Sequence, residues 1–275
     1  LARDNQDRLI DFIKQYKNAL VAYSGGLDSS LVLWAAIKAL GPGHVLAVTA
    51  LSESYATGEK EAARRVAREL GLTEKRHRFI TTHEMDNENY VKNPADRCYW
   101  CKHTLYTELR AIAQLENMVV IFDGTNLSDT SDYRPGLKAA REMHVVSPLR
   151  ETGLTKEDIR RIARKNRLSF AEKPATACLA SRIPYGTSIT TERLRMIDRA
   201  ETAVREAGFE GFRVRYHHDV ARLELRPEDL PRLLNKAIKE TLIEKIKQAG
   251  FKYVAVDLEG YRTGSLNETL GKDKK

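Results

Sequence analysis

The sequence is poor in cysteine and tryptophan, with three of the first and two of the second in 275 residues. Cys98, Cys101 and Cys178 are too few, and odd in number, for a disulfide framework, which excludes the small stapled domains of secreted proteins. No run approaches the ~18 unbroken apolar residues of a membrane span. The opening Leu1-Ala2-Arg3-Asp4-Asn5-Gln6 lacks the apolar core of a signal peptide. The expectation is a cytoplasmic protein. Internal repeats are missing too. Acidic residues are in the minority, 38 against 46 lysines and arginines, giving a net charge of +8 and a pI of about 9.3. That balance favours anionic partners such as nucleotides, phosphorylated metabolites or nucleic acid, without choosing among them. A soluble basic surface with no partner fits the charge equally. Hydrophobic content of 42% with 31% charge is that of an ordinary globular chain.

Strands and helices alternate through the first half. Apolar runs at 19–23, 45–51, 76–80, 119–123 and 144–148 predict strands, and helical spacing predicts helices over 29–40, 57–70, 98–115 and 155–165. This is the grammar of an α/β domain with a parallel sheet and crossover helices. Ligands in such sheets bind at the carboxyl ends of strands, where Ser24, Leu51, Gly124 and Ser147 fall. After Pro184-Tyr185-Gly186 the pattern becomes a helix over 191–207, strands at 212–217 and 220–225, helical segments to 248 and a strand at 253–258. The expectation is a parallel-sheet domain over 1–186 and a small α+β domain over 187–275, with a frayed tail from Lys272.

Ser24-Gly25-Gly26-Leu27-Asp28-Ser29-Ser30 lies between a strand and a helix. Glycines there let backbone approach a phosphate, and the helix N-terminus supplies N–H donors and a positive dipole end. Ser24, Ser29 and Ser30 add hydroxyl donors. Asp28 is unusual in such a loop, because a bare carboxylate would repel the ligand, and its presence implies Mg2+ held between it and the phosphates. The lysine of a Walker A loop is missing, which argues against γ-phosphate transfer of that kind. The loop resembles the pyrophosphate loop (PP-loop) of the ATP pyrophosphatase family, whose members include GMP synthetases, asparagine synthetases and tRNA thiolation enzymes. The resemblance implies cleavage of ATP to AMP and pyrophosphate, with AMP first joined to an acceptor oxygen. Gly124-Thr125-Asn126 resembles the family segment that lines the nucleotide site.

Cys98-Tyr99-Trp100-Cys101 is expected at a helix start, with both thiols on one side of a turn. Spacing alone leaves several readings open: a redox pair, a zinc site with His103 or another histidine as fourth ligand, a four-iron cluster with one iron open, or no metal. The stretches Asp96-Arg97-Cys98-Tyr99-Trp100-Cys101-Lys102 and Glu172-Lys173-Pro174-Ala175-Thr176-Ala177-Cys178-Leu179-Ala180-Ser181-Arg182-Ile183-Pro184-Tyr185-Gly186 resemble the LarE-type sulfur transferases of nickel-pincer nucleotide synthesis. The likeness covers nearly the whole chain. It implies ATP-dependent adenylylation of the carboxylates of pyridinium-3,5-biscarboxylic acid mononucleotide and their conversion to thiocarboxylates. It also implies a homo-oligomer, and leaves the sulfide donor unnamed.

Members with three cysteines that resemble this set hold a [4Fe-4S] cluster, which assigns Cys98, Cys101 and Cys178 as ligands. Other members sacrifice the sulfur of a single cysteine, the role that would otherwise fall to Cys178. By the same resemblance Ser181, Arg182, Arg213 and Arg215 line the substrate site. Arg213 and Arg215 share one strand face by the period of two, and such a pair can grip a phosphate. Trp100 is a candidate to shield the cluster or stack on a pyridinium ring, and Glu201 to hold a metal or orient substrate. His217-His218 reads as surface. The rival readings are a tRNA-thiolating PP-loop enzyme, which would use the same adenylylation, and a non-catalytic ATP-binding regulator.

Overall fold

The computed structural model describes residues 4–131, 135–174, 178–262 and 264–269. In chain order the first elements are α1 (Asn5–Ile13), β1 (Ala19–Ala22), α2 (Leu27–Leu40), β2 (Val45–Leu51), α3 (Glu59–Glu69) and β3 (His77–Thr81). A single turn, α4 (Glu88–Val91), precedes α5 (Arg97–Leu115), β4 (Ile121–Phe122), α6 (Gly136–Glu142), α7 (Pro148–Glu151) and α8 (Lys156–Lys165). The rest comprises α9 (Thr191–Glu206), β5 (Arg213–His217), β6 (Val220–Glu224), α10 (Lys236–Gln248) and β7 (Tyr253–Val256). The chain packs as two compact units. One comprises Leu1–Ser52, Gly58–Glu84 and Asp96–Thr176, and the other Glu53–Thr57, Met85–Ala95 and Ala177–Lys275.

The first unit is an α/β fold around a parallel sheet in the order β3-β2-β1-β4. Strand alternation divides its core. Ala19, Val21 and Tyr23 face one cluster with Leu9 of α1, Leu31 of α2 and Ile159 of α8, while Leu20 faces another with Tyr106 and Leu109 of α5. Helices therefore cover both faces, which is why β1 and β2 read as unbroken apolar runs. The helix α2 is apolar nearly all round and, Asp28 apart, buried from Leu27 to Ala36, as expected of a helix within a core. Full burial of a side chain such as Leu31 or Leu33 is worth about 1.5–3 kcal/mol. The sheet order reverses at β1, so the carboxyl ends of β1 and β4 flank a topological switch point, where ligands bind in such sheets.

The second unit carries a three-stranded mixed sheet, β5-β6-β7. Strands β5 and β6 form an antiparallel hairpin, and α10 crosses over to bring β7 parallel to β6. This is the small α+β grammar read from the sequence.

Several expected elements differ. The strand at 144–148 reduces to one bridge, Phe122 to Val146, because His144 turns at φ 53° and Pro148 opens α7. The run at 119–123 contributes only Ile121–Phe122, and Val119 is exposed. The helical segments expected before Gln248 are present as a 3-10 stretch over Pro227–Leu234 and α10. Helices α1, α4, α6 and α7 had no sequence expectation. Residues 175–177 of the Cys178 stretch and the tail from Lys272 lie outside the described residues.

Candidate functional site

The loop after β1 turns through Gly25 at φ 75° and enters α2 with Gly26 as its N-cap. A Cβ on Gly25 would stand 2.8 Å from Cβ of Ala63, so α3 closes on the loop too tightly for any side chain. No side chain caps α2, so its first N–H groups keep their capacity for an anion. The serines organise the turn. Ser29 Oγ lies 3.0 Å from Ser24 Oγ, accepts from Ser24 N at 3.2 Å and donates to Gly26 O at 3.2 Å. Gly124, just beyond β4, lies against the same turn: a Cβ there would come within 2.7 Å of Ser29 N and 3.0 Å of Ser29 Cα. The structure thus brings Ser24, Gly25, Gly26, Asp28, Ser29, Ser30 and Gly124 to one place. Asp123, beside Gly124, is buried and accepts from Tyr106 Oη at 2.9 Å and Thr125 Oγ1 at 2.8 Å.

Two lysines that sequence reasoning missed complete this surroundings. Lys156, at the start of α8, donates to Asp28 Oδ2 at 2.5 Å. Its helix is fixed by a capping box between Thr155 and Asp158. Lys173 donates to Gly25 O at 2.9 Å and to Glu59 at 2.8 Å. A loop without a Walker lysine therefore gains two cations from distant segments. Burial pushes the Asp28 carboxyl above its usual range, with Lys156 opposing. Among the described residues its Oδ1 has no hydrogen-bond partner although it is buried. A half-buried carboxylate with one oxygen on an ammonium and the other buried and unpartnered is a fit donor for a hard cation such as Mg2+.

Cys98 and Cys101 lie at the start of α5, one helical turn apart on one side. Cys98 is exposed and Cys101 half-buried, and all three cysteines are thiols. Trp100, half-buried, meets Tyr99 edge-on at 5.1 Å. Among the described residues no three His, Cys, Asp or Glu side chains already converge as a metal site. Two thiols at helical i, i+3 spacing fit two ligands of a thiolate-held cluster. Cys178, in the second unit, is exposed and caps the short 3-10 turn Leu179–Arg182.

That turn opens a buried charge network in the second unit. Arg182, 2% exposed, donates to both oxygens of Glu201 at 2.8 and 2.9 Å, and to Cys178 O at 2.9 Å and Ser181 Oγ at 3.0 Å. Arg215 donates to both oxygens of Glu224 at 2.9 Å, to Ser181 O at 2.8 Å and to Ser265 Oγ at 2.8 Å. Arg213 lies over the Tyr261 ring at 4.8 Å and donates to Phe212 O at 2.6 Å. Burial first, then the charge of Arg182, holds it below the usual guanidinium range. Ser181, Arg182, Glu201, Arg213 and Arg215 thus come together. Arg213 and Arg215 are both buried. Glu201 serves as partner to Arg182 and accepts from Val214 N at 3.1 Å. Tyr261 and Ser265 are additions the sequence did not suggest. His217 and His218 are exposed in the β5–β6 turn.

A depression of about 420 Å³ between α3 and β3 is lined by Arg64, Arg68, His77 and Phe79. It lies at the sheet edge rather than the switch point, and its arginines are already paired with Glu61 and Glu74.

A capless glycine turn at the carboxyl end of β1, with Gly124 pressed on it from the next strand, defines a PP-loop domain of the ATP pyrophosphatase class. Residues 6–117 match the family model described as NAD synthase. Over 265 residues the chain is 36% identical to a pyridinium-3,5-bisthiocarboxylic acid mononucleotide synthase of Lactiplantibacillus plantarum, covering 96% of this chain and 94% of that protein. The chain belongs to that LarE-type family. It is also 40% identical, over 97% of its length and 98% of the relative's, to an uncharacterised protein of Synechocystis sp.. A third relative, an uncharacterised protein of Methanocaldococcus jannaschii, is 34% identical over 64% of the chain and 68% of its own length. No described helix is long and apolar enough to cross a membrane.

Proposed function

We propose that the protein is a cytoplasmic ATP-dependent sulfur transferase of nickel-pincer nucleotide synthesis, acting on pyridinium-3,5-biscarboxylic acid mononucleotide. The observation that carries this reading is a PP-loop closed by Gly124 and flanked by Lys156 and Lys173 in the first unit, and the second unit separately holds a buried arginine network beside Cys178. The relative named for the corresponding bisthiocarboxylate supports the substrate.

The chemistry assigns work to each group. A carboxylate is a poor electrophile. Its oxygen attacks the α-phosphorus of ATP, the bond to the β-phosphate breaks, and pyrophosphate leaves. The N–H groups opening α2 and the ammonium groups of Lys156 and Lys173 stabilise the charge that gathers on the departing pyrophosphate. Asp28 would hold Mg2+, which would neutralise phosphate charge, and Lys156 would then be released from Asp28 to the ligand. Sulfide sulfur then attacks the acyl carbon, and AMP departs with the former carboxylate oxygen, leaving a thiocarboxylate. The sequence is repeated at the second carboxylate. Ser181, Arg182, Arg213 and Arg215 bind the anionic substrate, Glu201 keeps Arg182 in orientation, and Trp100 is offered to the cationic pyridinium ring.

The sulfur source in this reading is a [4Fe-4S] cluster ligated by Cys98, Cys101 and Cys178. When bound, it supplies an iron without a protein ligand, able to carry the sulfide that is transferred. Three thiols with two of them one helical turn apart suit that donor set.

The test is anaerobic purification, assay of iron and acid-labile sulfide, and measurement of pyrophosphate release with the pyridinium biscarboxylate and with tRNA. Iron and sulfide lost on Cys98→Ala, Cys101→Ala or Cys178→Ala, with release dependent on the small substrate, is the expected result. Release driven by tRNA alone would transfer the protein to the tRNA-thiolating branch. ATP binding without any release would leave a regulator. Dehydroalanine at position 178 after one turnover would replace the cluster by a sacrificial cysteine.

A further inference from the structure

Glu84 lies just beyond β3 and is used by none of the chemistry above. It is only 5% exposed. Its Oε1 stands 3.9 Å from Sγ of Cys101, and among the described residues its buried Oε2 has no hydrogen-bond partner. Burying a carboxylate oxygen without a partner is costly, so such a group marks a place where a proton, a water or a cation is expected.

As a thiol, Cys101 donates to Glu84 Oε1 across that 3.9 Å; as a thiolate, it would share the same pair of atoms with a cation. A zinc-like ion takes sulfur at about 2.3 Å and carboxylate oxygen at about 2.0–2.2 Å, so tetrahedral ligation would set the two atoms about 3.6 Å apart. The observed separation exceeds that span by a few tenths of an ångström, within reach of a small carboxylate rotation. Cys98 is exposed and one helical turn from Cys101, so a turn about χ1 is open to it. No three donors converge yet. Bringing them together takes a rotation of the Glu84 carboxylate and a rotamer change at Cys98.

We propose that Glu84, Cys98 and Cys101 form a site for one thiophilic divalent cation of the zinc or ferrous class. Two thiolates and a carboxylate leave the fourth tetrahedral position to water. The site requires neither Cys178 nor ATP, so it is independent of the sulfur-transfer reading, and the cation would compete with cluster assembly for Cys98 and Cys101.

The experiment titrates the apo Cys178→Ala protein, in which a three-thiolate cluster cannot form, with Co2+ under anaerobic conditions. Thiolate-to-cobalt charge transfer and the visible d–d bands are followed. The expected result is about one Co2+ per chain, with the affinity falling on the order of 10–100-fold or more when Glu84→Gln is added and the d–d envelope changing. Unchanged affinity and spectrum in the Glu84→Gln protein, or no Co2+ binding to Cys178→Ala, would overturn the proposal. Should Glu84→Gln fail to fold, X-ray absorption at the cobalt edge on Cys178→Ala itself decides. Two sulfurs with an oxygen shell backed by scattering from a carboxylate carbon support the site, and two sulfurs with water oxygens alone, or no sulfur, overturn it. Pyrophosphate release by the unsubstituted protein is measured separately, so failure of the metal site and failure of the sulfur-transferase reading give different patterns.

Discussion

Gly124→Ala isolates the geometry of the phosphate loop in one methyl group. The added Cβ would stand 2.7 Å from Ser29 N, 3.0 Å from Ser29 Cα and 3.2 Å from the carbonyl carbon of Asp28. All three atoms are backbone at the start of α2, so no flexible side chain can swing away. Relief requires the segment after β4 or the first turn of α2 to move by several tenths of an ångström. Overpacking of this kind costs about 1–3 kcal/mol. The displaced atoms belong to the amides that would face the phosphates, so ATP affinity should fall with stability, by roughly tenfold for each 1.4 kcal/mol lost from binding. Gly43→Ala is the control, since a Cβ there meets nothing within 4 Å. Urea unfolding and calorimetric titration with ATP and Mg2+ are the assays. A Gly124→Ala protein with the stability and ATP affinity of the unsubstituted chain would refute the close approach on which the site is built.

Lys156→Ala removes the ammonium from Asp28, and pyrophosphate formation should slow by an order of magnitude or more while the fold persists, read from the release rate and the far-ultraviolet spectrum. Glu201→Gln leaves Arg182 buried beside a neutral partner. Breaking a buried pair costs on the order of 3–5 kcal/mol, although the retained amide oxygen should keep the loss at the lower end, as a denaturation midpoint would show. His77 is buried against Tyr23 and Phe79, with Thr49 Oγ1 at 2.9 Å from Nε2. Burial and the Arg64 charge lower its pKa to about 4. The unfolded chain then binds the extra proton between about pH 4 and 6.5, so stability should rise with pH across that window, by at most about 3 kcal/mol. His77→Gln should flatten that slope in unfolding midpoints taken at pH 4.5 and 6.5.

The local parts of the site were legible because they are contiguous. The glycine turn, its serines and Asp28 fall within seven residues, and strand alternation alone put Arg213 and Arg215 on one face. The helix of Cys98 and Cys101 was legible for the same reason. Groups that arrive from afar gave no sign of their partner, although Lys173 falls within a stretch that carries the family resemblance. Lys156 meets Asp28 across 128 residues and Lys173 meets Gly25 across 148, and each sits in a stretch as basic as many others in a chain of net charge +8. Glu84 was hidden for a different reason: nothing in a sequence distinguishes a buried glutamate from the many exposed ones. The strand expected at 144–148 failed because an apolar pair before a proline satisfies the pattern, whereas Pro148 and the left-handed turn at His144 leave room for a single bridge.

The central claim is that ATP activates a carboxylate by adenylylation, and the path of one oxygen tests it. Pyridinium biscarboxylate labelled with oxygen-18 in its carboxylates would be turned over with ATP and a sulfide source, and the products examined by phosphorus NMR and mass spectrometry. The account requires one labelled oxygen in each AMP and unlabelled pyrophosphate, with sulfur in place of that oxygen on the pyridinium ring. Label absent from AMP, or ADP and labelled phosphate in its place, would contradict it.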